Sequence, residues 1–128
     1  GSEEGAEVAG VNFASIRFKH LQWKSRLRAH IAGTDRIDQS EAVSDQDCAL
    51  GQWYFGPGLS QFGHLESMKR LKEPHRKLHE MVGEILSLAD SGKREEAESR
   101  VDELSELSNQ IVDILKEVEA EVRRESGE

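Results

Sequence analysis

The 128-residue sequence predicts an all-α domain, a four-helix bundle with short additional helical segments. Apolar residues recur at three- and four-residue steps through its long segments, and no stretch keeps the strict alternation of a half-buried strand. The breaks between the periodic segments hold glycine, proline or capping residues.

The first helix is expected over residues 11–32, with Phe13, Ile16, His20, Trp23, Leu27 and Ile31 on one stripe and Gly33 as its stop. Residues 34–43 are polar and aperiodic, which predicts a connecting loop with room for one short turn. Ser44 looks like the N-cap of a short helix over 48–55, favoured by the acids that follow it and ended by Gly56-Pro57-Gly58.

Residues 59–72 are expected to be partly helical, with Pro74 tolerated in the first turn of a new helix. That helix carries Leu71, His75, Leu78, Val82, Ile85, Leu86 and Ala89 on its stripe and closes at Asp90-Ser91-Gly92. Over 93–122 the seam Ala97, Val101, Leu104, Ser108, Ile111, Leu115, Val118 and Val122 alternates steps of four and three, and Leu107 and Ile114 broaden it. Residues 11–122 thus read as one domain, residues 1–10 as a cloning remnant with a frayed start, and 123–128 as a disordered end.

Seventeen basic against 25 acidic residues give a net charge of −8, which repels phosphate backbones and anionic lipid. A nucleic-acid or membrane-surface role is therefore disfavoured. No apolar run approaches the roughly 20 residues that span a bilayer. One cysteine, Cys48, offers no internal disulfide and fits a reducing cytoplasm.

His75 and His79, four residues apart, project from one helix face about one turn apart, close enough for both imidazoles to reach one ion. That spacing is common, and two ordinary helix histidines would give it. Leu78 lies between them on the apolar stripe, so at least one ring points into or beside the core, where an unpaired polar group costs a few kcal/mol. His20 is flanked in the same way by Ile16, Trp23 and Leu27, and Cys48 sits among Leu50, Trp53 and Phe55. Taken singly, His20 reads as a core histidine and Cys48 as a small buried hydrophobe. Together, His20, Cys48, His75 and His79 would satisfy one another by sharing a tetrahedral zinc, which suits mixed nitrogen and sulfur donors.

The segments "KHLQWKSRLRAHIAG", "DCALGQWYFGPG" and "EPHRKLH" resemble the chemoreceptor zinc-binding (CZB) domain family over roughly residues 13–120. The resemblance implies a three-histidine, one-cysteine zinc site mapped onto His20, Cys48, His75 and His79. It also implies an all-α homodimeric regulatory module in bacterial cytoplasmic proteins, attached to a chemoreceptor signalling region or a diguanylate cyclase. Trp23, Gly51 and Trp53 match the family pattern too. Physically, the two tryptophans read as core anchors shielding the metal, and Gly51 as a place of close approach.

A zinc-bound thiolate stays open to strong oxidants, so Cys48 is the expected redox-reactive residue and oxidation would weaken its hold on the metal. Zinc availability and oxidants such as hypochlorous acid are the two inputs the resemblance implies. The competing expectation is a structural dimerisation module built on the 97–122 seam, with zinc only stabilising the fold. Asp47 and Glu80 are candidates to orient the imidazoles. His30 is expected to stabilise a helix end and His64 to lie at the surface.

An enzyme is not expected. The metalloprotease pattern would put glutamate after the first ligand, where Arg76 stands, and a fourth protein ligand leaves no place for a catalytic water. The E-x-x-H pairs of ferritin-like di-iron sites are missing as well.

Overall fold

A computed structural model describes residues 7–42, 44, 46 and 48–127. It opens with a small antiparallel hairpin, β1 (Glu7–Val8) and β2 (Val11–Asn12), in which Glu7 faces Asn12 and Val8 faces Val11. Ala9 and Gly10 both take positive φ, 52° and 78°, the pattern of the tight turn whose twist matches a hairpin. Val8 is fully buried, so this part of the expected frayed start belongs to the core. Two-residue strands are too short to leave a periodic signal, and Ala-Gly lacks the Asn-Gly signature of such turns.

The expected first helix is two. α1 (Phe13–Leu21) is capped by Asn12, whose Oδ1 accepts the Ser15 N–H at 2.9 Å. α2 (Trp23–Ala32) follows after a single residue and ends at Gly33, in the left-handed region at φ 81°. The break is a tightened step, in which the Gln22 N–H bonds the carbonyl of Lys19. The polar connection holds one turn, α3 (Gln39–Ala42).

Cys48, not Ser44, caps the short helix α4 (Ala49–Trp53): its Sγ accepts the Gly51 N–H at 3.2 Å. The Ser44 hydroxyl accepts instead from the Gln46 N–H. The run breaks at Gly56, as the Gly56-Pro57-Gly58 stop predicted, and a second helical stretch starts across the kink. Over Tyr54–Gly58 the chain makes a wide turn kinked at Gly56 (φ −102°, ψ −113°), beyond which it enters α5 (Leu59–Phe62). A buried Tyr54 O–H donated to the Met68 carbonyl anchors the turn.

Gly58 is the close approach here, since a Cβ would lie 2.9 Å from the Trp53 carbonyl oxygen and 3.2 Å from its ring. Gly58→Ala is expected to cost about 1–3 kcal/mol, the usual penalty of overpacking, and a shifted urea midpoint would measure it.

α6 (Glu66–Asp90) and α7 (Arg94–Ser126), of 25 and 33 residues, form the frame. They run antiparallel, as the cross-helix pairs Glu84–Arg100, Arg70–Glu117 and Ser67–Glu121 require. Pro74, expected at a first turn, lies inside α6. A proline there costs about 3 kcal/mol. Met68 and Leu71, both fully buried on the N-terminal side of it, offset that at about 1.5–3 kcal/mol each, so the stripe continues through the proline.

All eight seam residues of α7 are buried within the single chain, against α6 and against α1–α2. Helix α7 also runs four residues past Val122. Arg123 and Arg124 stabilise its negative end, the Ser126 hydroxyl bonds the Val122 carbonyl, and Gly127 closes it at φ 77°. The Arg17–Glu119 and Arg28–Asp102 pairs set α1 and α2 antiparallel to α7. The domain is thus mostly helical as expected, with four longer helices (α1, α2, α6, α7) among the described residues. None of them is long and apolar enough to cross a membrane.

Candidate metal centre

Three histidines meet between α1 and α6. His20 occupies the inner face of the last turn of α1, and His75 and His79 the inner face of α6 directly after Pro74. All three are buried, and one ring nitrogen from each lies within 4.8 Å of the others. The His75 and His79 rings are edge-on at 4.8 Å, and the His20 ring centre is 5.6 Å from that of His75. Cys48, half-buried at the start of α4, brings its Sγ to 3.3 Å from His75 Nε2.

The hydrogen bonds fix which nitrogens are donors to a metal. His79 Nδ1–H donates to the carbonyl of Ala42 at 2.7 Å, which leaves the lone pair on Nε2. That lone pair faces His75 Nε2 at 3.1 Å. His20 Nδ1 lies 3.5 Å from the Ser108 hydroxyl, while its Nε2 is buried with no hydrogen-bond partner among the described residues. A buried unpartnered nitrogen costs about 1–3 kcal/mol unless something else satisfies it.

In a tetrahedral zinc site with bonds of about 2.0–2.1 Å, ligand nitrogens stand about 3.3 Å apart, and a sulfur slightly farther. The 3.1 and 3.3 Å separations fit that shape, and the orphaned His20 nitrogen is what a metal would use.

Burial, and then the neighbouring imidazoles, push His20 down to about 4 and His75 to about 3. Both rings are therefore neutral at physiological pH, the form a metal binds. Around the cluster, the Trp23 and His79 rings stand perpendicular, 5.5 Å apart, with the Arg26 guanidinium 4.4 Å above the indole. Trp53 packs edge-to-face on Phe13 at 5.4 Å.

The candidates for orienting the imidazoles come out differently. Asp47 lies outside the described residues. Glu80 is a surface group paired with Arg76 at 2.7 Å, and Arg76 also pairs with Glu73. The orienting partners are Ala42 and Ser108 instead. Ser108 did leave a trace in the sequence, as the one polar residue in the α7 seam. A backbone carbonyl such as that of Ala42 leaves none. Gly51 contributes its amide to the sulfur. His64 is exposed and pairs with Glu125, as its surface placement predicted.

Imidazole nitrogens and a thiol sulfur gathered between helices are the donor set of a metal-binding domain. The chain belongs to the chemoreceptor zinc-binding domain family, whose model matches residues 20–86, more than half of its length. The family binds zinc and works in signalling rather than catalysis, and the matched span contains all four clustered side chains. No curated protein and no solved structure matches the chain.

Proposed function

We propose that His20, Cys48, His75 and His79 hold one zinc ion, and that the domain is a regulatory element of a bacterial cytoplasmic signalling protein, a chemoreceptor or a diguanylate cyclase. The observation that carries this reading is the convergence of three buried imidazoles on the sole thiol, with one imidazole nitrogen otherwise unsatisfied. When bound, zinc supplies a Lewis acid that keeps the Cys48 sulfur as thiolate.

The chain's own residues then provide the response. Helix α4 starts at Cys48, so the sulfur that faces His75 also holds the first turn of α4. Attack of the thiolate on the chlorine of hypochlorous acid releases hydroxide. Water then displaces chloride to give the sulfenic acid, a poorer donor to metal and a poorer acceptor for the Gly51 amide. The α4 end loosens against α6, and the change passes to the output domain of the parent protein. In this reading the domain works as a homodimeric four-helix bundle. Phe18 (64% exposed) and Leu21 (45% exposed), three residues apart on α1, are apolar surface that such a dimer would cover.

The test is a titration of the zinc-loaded protein with hypochlorous acid, following zinc with a chromophoric chelator, Cys48 by mass spectrometry and size by sedimentation. Zinc release in step with Cys48 oxidation is the expected result. Full oxidation of Cys48 with zinc retained and helix packing unchanged would falsify the redox reading and leave a structural role for the metal.

A further inference from the structure

The carbonyl that fixes His79 belongs to α3, and α3 is held in place from a distance. His30, in the last turn of α2, is 8% exposed and spans two other segments. Its Nδ1 accepts the Ile37 N–H at 3.1 Å, so the ring proton sits on Nε2 and is donated to Asp90 Oδ1 at 3.0 Å. One imidazole thus joins the end of α2, the returning loop and the last turn of α6.

From Ile37 the geometry runs without slack to the metal centre. Ile37 is buried. Asp38 Oδ1 accepts both the N–H and the O–H of Ser40, at 2.9 and 2.7 Å, and the Asp38 carbonyl accepts the Ala42 N–H at 3.0 Å. The Gln39 side chain donates to Ser87 Oγ of α6 at 3.0 Å. The last carbonyl of this single stiff turn, that of Ala42, accepts from His79 Nδ1.

We infer that His30 is a positioning residue for the metal centre: by fixing Ile37 it fixes α3, and α3 sets the tautomer and the aim of the His79 ring. The inference rests on the reading that His79 is a ligand. Groups that orient metal-bound histidines change affinity by about 10–100-fold when removed, and one acting through an intervening turn belongs at the lower end of that range.

The experiment measures zinc affinity by chelator competition, and zinc-free stability by urea, for the full chain and its His30→Ala, His30→Asn, His30→Gln and His79→Ala variants. His30→Ala is expected to weaken zinc binding about tenfold. The asparagine amide oxygen falls near the place of Nδ1 and keeps the acceptor for Ile37, so His30→Asn regains most of the loss. The longer glutamine keeps only the reach toward Asp90 and does not. Wild-type affinity in His30→Ala overturns the inference, however far its stability drops. So does an equal loss in all three His30 variants that tracks their urea midpoints, since His30 would then act by packing alone. Wild-type affinity in His79→Ala removes the ligand assignment as well, and this separates the two failures.

Discussion

Cys48→Ser is expected to weaken zinc binding by more than about a hundredfold, beyond the 10–100-fold typical of groups that only orient ligands, while leaving the helix content of the zinc-free chain close to wild type. The two halves of that result come from two roles of one sulfur. Toward His75 it is the only soft anionic donor in the cluster. Toward Gly51 it is a helix cap, and a serine hydroxyl is among the best caps known. Serine therefore removes the proposed sulfur ligand and keeps the cap. Cys48→Ala removes both and is expected to lose a further 0.5–2 kcal/mol or so of stability in the absence of metal. Chelator competition with parallel circular dichroism and urea melts checks each part. A serine variant that binds zinc like wild type would exclude the sulfur from the metal.

The second large effect is expected at Leu78. It is fully buried on α6 between His75 and His79, where its side chain fills the core beside the cluster. Leu78→Ala is expected to cost about 2–5 kcal/mol in zinc-free urea denaturation, the transfer term plus the cavity. Zinc at a hundred times its Kd stabilises a wild-type site by about 2.7 kcal/mol. Collapse of α6 around the new cavity would shift the two proposed ligands, His75 and His79, so the variant should gain less than the wild type from the same zinc excess. An equal gain in both proteins would mean that the core under the ligands does not set their geometry.

What the sequence revealed follows from what each element needs. The α7 seam was readable because eight buried positions repeat one period, and every one of them is buried. The four clustered side chains were readable for a different reason: polar groups on apolar stripes need a shared solution. Where two candidates of similar type competed, the pattern could not choose between them. Ser44 has the better capping chemistry, yet Cys48 caps α4 because its sulfur is already held near His75. Pro74 inside α6 depends on packing against neighbours far along the chain, which local propensity cannot register, whereas the stop at Gly56-Pro57-Gly58 is local and was readable. His30 looked like a helix-end charge because its two partners, Ile37 and Asp90, lie 7 and 60 residues away.

The length of α7 has a mechanical consequence. Ser108, the residue that touches His20, sits near its middle, and at 1.5 Å per residue the helix extends about 27 Å beyond it to Ser126. A tilt of about 5° about that fulcrum would sweep the far tip sideways by about 2 Å. The far tip is thus sensitive to any small reorientation of the helix axis.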